Sequence, residues 1–229
     1  MSADEQILDI ALGDVRQGVV RDGCQPLWIA TDRGDLALRY HRAAGAVHGA
    51  LLLGEAETGF PSPADELYAR LCAALVGAGV SALRLSWRRP GDLAESALDA
   101  LIGLHFLRSQ GIDRLGVVGH GFGAAAAAQA AANADGVRAL VALAAQSEGL
   151  GAVAALPAGC ACLFVHGTDD AQQPLAGARR GYAAAREPKY LRVFSGAGHA
   201  LAEVAGQLER ELTDWLLLEL TEGDPRLRR

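Results

Sequence analysis

The feature that most constrains this chain is its rhythm. Short apolar runs alternate with segments whose apolar residues recur at helical spacing. Residues 27–30 and 36–40 flank the turn signal Asp32-Arg33-Gly34-Asp35, which predicts a hairpin. Further strands are predicted over 50–53, 81–85, 115–118, 139–143, 162–165 and 190–194. Helices are predicted over 64–76, 93–107, 124–134 and 201–220, the first ending at Gly77 and the second before Gly111. Strands joined by crossover helices pair in parallel. The expected class is therefore α/β, a mostly parallel central sheet with helices on both faces. In such sheets ligands sit beyond the carboxyl ends of the strands, so the chemistry should lie in residues that follow strands.

The 229 residues suit one domain over 25–220, with an N-terminal extension over 1–24 and a polar tail over 221–229. A chain this long buries roughly 70% of its unfolded surface, so it needs no disulfide or metal staple. Hydrophobic residues at 51% and charged residues at 21% exclude intrinsic disorder. Alanine is about a fifth of the chain and there are 28 glycines, a bias that codon usage alone could produce. A net charge of −6 with no Lys/Arg block argues against nucleic acid as a partner. No apolar run reaches the ~18 residues of a membrane span. The start, Met1-Ser2-Ala3-Asp4-Glu5-Gln6, lacks the basic and apolar regions of a secretory signal. Cys24, Cys72, Cys160 and Cys162 then read as reduced thiols of a cytoplasmic protein. Cys160-x-Cys162 has no second ligand pair at metal spacing, so no metal is expected.

Three strand-end segments stand out: Val117-Val118-Gly119-His120-Gly121-Phe122-Gly123, Phe164-Val165-His166-Gly167-Thr168-Asp169-Asp170, and Gly196-Ala197-Gly198-His199. In this order they resemble the α/β-hydrolase superfamily, above all its small dienelactone-hydrolase-like and carboxylesterase-like members. There a G-x-S-x-G elbow, a strand-end acid and a late histidine follow one another. The resemblance covers roughly residues 25–220. It implies an α/β-hydrolase fold, Asp170 as the acid and His199 as the base, with Asp169 one residue out of register. A carboxylate beside the imidazole fixes its tautomer and stabilises the imidazolium. The short stretch between Ala145 and Cys160 implies a lidless molecule. The resemblance also implies an ester-like small-molecule substrate and no cofactor.

The sequence departs from that pattern twice. Gly121 stands at the nucleophile position, where loss of a serine costs on the order of 10⁶ in turnover in a comparable site. Glycine does accept the strained dihedrals of an elbow without a Cβ clash. The second departure is Leu53-Gly54-Glu55-Ala56, where the oxyanion loop should lie. The oxyanion donors would be the N–H of Phe122 and one near Glu55. The Glu55 side chain either faces solvent or opposes charge in that hole. In the second case Glu55 and His199 would activate a water in the space left by the missing serine. Ser86 and Ser147, the latter beside Glu148, are candidates for a relocated nucleophile. Arg88, Arg89 and Ser147 are candidates for substrate binding, the arginines as a bidentate clamp on a carboxylate or phosphate.

The expected function is therefore a hydrolase-family protein on an ester-hydrolase-like scaffold, weakly active or inactive as a serine hydrolase. One alternative is a hydrolase using His199-activated water or a relocated serine. Another is a non-catalytic anion-binding or scaffold protein. A third is a dinucleotide-binding protein through Gly119-x-Gly121-x-x-Ala124. The mid-chain position of that fingerprint, and Gln146 where the next strand should end in an acid, weigh against it.

Overall fold

The computed structural model describes residues 9–221. Nine strands make one sheet: β1 Leu12–Gln17, β2 Cys24–Thr31, β3 Leu36–His41, β4 His48–Leu53, β5 Ser81–Ser86, β6 Arg114–His120, β7 Val137–Leu143, β8 Ala161–Gly167 and β9 Lys189–Phe194. Their order is β1-β2-β3-β5-β4-β6-β7-β8-β9. The first three strands pair antiparallel, as the turn at Asp32-Arg33-Gly34-Asp35 requires of β2 and β3. From β5 to β9 every pairing is parallel. The chain winds outward one way from β4 to β5 and then crosses back to β6. The crevice beyond β4 and β6 is thus the topological switch point, where such sheets bind ligands.

Five helices cover the sheet: α1 Pro63–Gly77, α2 Leu93–Ser109, α3 Phe122–Ala132, α4 Leu175–Ala184 and α5 Ala205–Thr221. Side chains alternate across the strands and split the core into two layers. Leu51, Leu53 and Val117 pack with α2 and α3. Ala50, Leu52 and Val118 pack with Leu67, Leu71 and Leu75 of α1 and with Leu208, Leu212 and Leu216 of α5. Asp92 caps α2, its carboxylate accepting from the Glu95 N–H at 3.1 Å.

Strand β1, within the extension expected over 1–24, pairs with β2 and forms one edge of the sheet. Helix α4 was not predicted. Gly177 and Gly181 interrupt its pattern, yet they are what let it sit close to Ser147, Leu150 and Phe164. The last helix starts at Ala205 rather than 201, since Leu201 adopts φ +56° and a 3₁₀ turn over Ala202–Val204 intervenes. Between β7 and β8 the only regular element is a 3₁₀ turn, Leu150–Ala155, so no lid is inserted there. Residues 1–8 and 222–229, which include the expected polar tail beyond Thr221, lie outside the described residues. Among the described residues no helix is long and apolar enough to cross a membrane.

Candidate functional site

The site begins with a backbone crossing. Strand β6 turns at Gly121, with φ +54° and ψ −113°, directly into α3. Two neighbouring glycines make that turn possible. A Cβ on Gly119 would lie 2.3 Å from the Gly123 carbonyl oxygen, and one on Gly123 would lie 2.4 Å from that of Gly54. The elbow is pinned to β7 and its exit: the Gly121 N–H donates to the Leu143 carbonyl at 2.9 Å, and the Gln146 N–H to the Gly121 carbonyl at 3.1 Å. Gly121 therefore sits at a tightly fixed strand-to-helix turn, the place where the resemblance expects a nucleophile.

Glu55 occupies the space where that side chain would project. A Cβ built on Gly121 would lie 1.5 Å from Glu55 Oε1 and 2.3 Å from Cδ. The carboxylate arrives from the loop after β4. The Trp87 indole N–H donates to the Glu55 carbonyl at 2.8 Å, and the Trp87 ring packs edge-on against Phe122. Oε2 accepts the Phe122 N–H at 3.1 Å, the donor expected to hold a substrate oxyanion. A carboxylate at the start of α3 also gains from the helix dipole.

Oε1 faces His199 Nε2 at 2.8 Å, while His199 Nδ1 faces Asp170 Oδ2 at 2.9 Å. Asp170 is held by a turn in which Oδ1 accepts the N–H groups of Gln172 and Gln173 at 2.9 and 2.8 Å. Asp169 is exposed and accepts only the Thr168 hydroxyl, so Asp170 is the acid that reaches the histidine.

The charges in this row support one another. His199 has a carboxylate oxygen at each ring nitrogen, an arrangement that favours the doubly protonated ring. Its pKa is raised above the ordinary value, foremost by Glu55 and also by Asp170, against a lowering from burial. Burial pushes the Glu55 pKa up, but His199, His120 and the Phe122 N–H together pull it below the usual value. The same balance lowers Asp170: burial opposes, while the Gln173 N–H, His199 and the Gln172 N–H prevail.

A second histidine, given no role in the sequence analysis, completes the cluster. His120, directly before Gly121, is buried and its pKa is lowered, burial being the main cause. Its Nε2 lies 2.9 Å from the His199 carbonyl oxygen and must donate to it. Its other ring nitrogen, Nδ1, lies 3.5 Å from Glu55 Oε1. Its place next to the elbow glycine at a strand end was the signal that could have found it.

Other expected site residues lie elsewhere or have other partners. The Glu55 carboxylate does not point into solvent, and the volume assigned to an activated water is filled by that carboxylate. The Arg88 side chain is 2% exposed; it pairs with Asp99 and, at 3.1 Å, with Glu95, so its charge is spent within the fold. Arg89 is exposed. Ser147 Oγ accepts from Arg180 at 3.1 Å and lines a cleft of about 180 Å³ with Leu150, Gly177 and Gly181. Ser86 Oγ accepts the Gly59 N–H at 3.0 Å. The ring nitrogens of His199 go to Glu55 and Asp170, not to either serine. At the Gly119-x-Gly121-x-x-Ala124 turn the helix N-terminus holds Glu55 where a pyrophosphate would have to sit.

The doubly wound sheet, the elbow at its switch point and the strand-end Asp170–His199 pair define an α/β-hydrolase fold. The dienelactone hydrolase family profile matches residues 55–212, and the chain belongs to that family. Similar solved structures include a dienelactone hydrolase from Anabaena variabilis, with TM-score 0.73 and 18% identity, covering 86% of this chain and 99% of that one. Est1E from Butyrivibrio proteoclasticus aligns with TM-score 0.70 and 14% identity, over 86% and 99% of the two chains. An alpha-beta serine hydrolase homologue from Coxiella burnetii aligns with TM-score 0.70 and 19% identity, over 87% and 99%. Comparison with curated protein sequences yields no match.

Proposed function

We propose that this dienelactone-hydrolase-family protein keeps the acid–histidine pair of a hydrolase but has little or no serine-type ester turnover. The space above Gly121 is filled by the chain's own Glu55. The observation that carries this reading is the Glu55 carboxylate, which takes both the nucleophile's volume at Gly121 and the oxyanion donor at Phe122. Acyl transfer needs an attacking atom, a base with a free lone pair and donors for the developing oxyanion. Gly121 offers no attacking atom, both His199 nitrogens already face carboxylates, and the Phe122 N–H already faces negative charge. The free thiols Cys24, Cys72, Cys160 and Cys162 support a reducing compartment such as the cytoplasm.

The test is hydrolysis of activated aryl esters, measured with a chelator present. The native chain should be no faster than His199→Ala, and Gly121→Ser alone should gain little. The double variant Gly121→Ser/Glu55→Ala should acquire turnover that depends on His199. Robust native turnover that disappears in both His199→Ala and Glu55→Gln would overturn the reading and make Glu55 a working catalytic group.

A further inference from the structure

Glu55, His120 and His199 pose a problem that hydrogen bonding within the cluster leaves unsolved. Each offers one ligand-type atom, and the three atoms lie within 4.8 Å of one another. His199 Nε2 and Glu55 Oε1 share a hydrogen bond at 2.8 Å, whose proton a bound ion would displace to solvent. His120 Nδ1 has no such bridge. Its ring is tied through Nε2 to the His199 carbonyl, so Nδ1 is aimed at a carboxylate oxygen 3.5 Å away. The His120 side chain is 6% exposed, so water has little access to Nδ1. A histidine nitrogen and a carboxylate oxygen facing each other inside a protein are reconciled by a proton or a cation between them.

We infer that Glu55, His120 and His199 form a binding site for one divalent transition-metal ion of the zinc class. A two-nitrogen, one-oxygen set suits zinc, whereas magnesium and calcium prefer oxygen alone. Three protein ligands leave a fourth position open, as in catalytic rather than structural zinc sites.

The surroundings of each ligand point the same way. Metal-binding histidines usually give their other nitrogen to a carboxylate or a carbonyl, which fixes ring orientation. His199 gives Nδ1 to Asp170, and His120 gives Nε2 to the His199 carbonyl. Glu55 commits Oε2 to the Phe122 N–H, which leaves Oε1 turned toward both rings. Gly121 contributes by absence, since any side chain there would displace the carboxylate. The three ligands come from separate strand ends fixed by the sheet, so the set is organised before any ion arrives.

This inference shares its residues with the proposed function, but its readout is metal binding and not ester turnover. The full chain without an affinity tag is stripped with chelator and titrated at neutral pH with zinc by calorimetry. A parallel titration with cobalt is followed by visible absorption. One equivalent of zinc should bind with micromolar or tighter affinity, and cobalt should give the d–d bands of a four- or five-coordinate ion. His120→Ala and Glu55→Gln should abolish both signals. Asp170→Asn, which only loosens the His199 ring, should weaken zinc about 10–100-fold. His105→Ala, an exposed histidine on α2, should change nothing. Circular dichroism shows whether each variant is folded. Absence of stoichiometric binding, or native-like binding by folded His120→Ala and Glu55→Gln, would overturn the assignment.

Discussion

Replacing Gly121 with serine forces a new side chain into a volume that Glu55 already fills. The Cβ would meet Oε1 at 1.5 Å and Oε2 at 2.7 Å, separations no non-bonded pair tolerates, so the carboxylate must leave. Leaving breaks its contacts with His199 and with the Phe122 N–H. Hydrogen bonds to charged groups are worth about 1.5–3 kcal/mol each. The Glu55 side chain is 28% exposed, so solvent recovers part of that, and a loss of about 2–4 kcal/mol for the pair is reasonable. A non-glycine residue at φ +54° adds strain of about 1–3 kcal/mol. In a Glu55→Ala background only the strain remains. Urea unfolding of the native chain, the two single variants and the double variant closes a cycle. The coupling between positions 55 and 121 should be about 2–4 kcal/mol. If Gly121→Ser costs the same in both backgrounds, Glu55 does not hold that volume in solution and the argument for a self-occupied pocket fails.

The same unfolding assay tests two other parts of the fold. Gly119→Ala places a Cβ 2.3 Å from the Gly123 carbonyl oxygen and 2.5 Å from the Ala124 Cα, backbone atoms that cannot rotate away. It should cost about 3 kcal/mol or more. Gly151→Ala, with nothing within 4 Å of its new methyl group, should be close to neutral. Equal costs for the two would count against the tight strand–helix approach. Arg88→Ala leaves the Asp99 carboxylate, 0% exposed, without its cation, at a cost of about 3–5 kcal/mol. The exposed neighbour Arg89→Ala should stay within about 0.5 kcal/mol, and a similar loss from both would refute the distinction.

What could be read from the sequence follows from how local each cause is. The strands from β2 to β9 and most helices announced themselves through periodicity, because burial against the sheet imposes a period along the chain itself. Strand β1 gave no such pattern since all six of its residues are exposed. The Asp170–His199 pair was legible because each residue sits in its own strand-end motif. The destination of the Glu55 side chain was not. It depends on the missing Cβ at Gly121, 66 positions away, and on a chain crossing at Gly54 and Gly123. Arg88 was misread for a related reason. A strand-end arginine looks like a ligand clamp until α2 turns Glu95 and Asp99, four residues apart, onto it.

Helix α3 carries a practical consequence. Nine of its eleven residues are buried, and seven of those nine are already alanine. An alanine scan, the usual search for residues that hold a fold together, would pass through the central helix almost in silence. Only enlarging substitutions can interrogate it. A valine or leucine walked along Ala124–Ala128 would map how tightly the helix is seated, and so how firmly the backbone N–H of Phe122 is aimed.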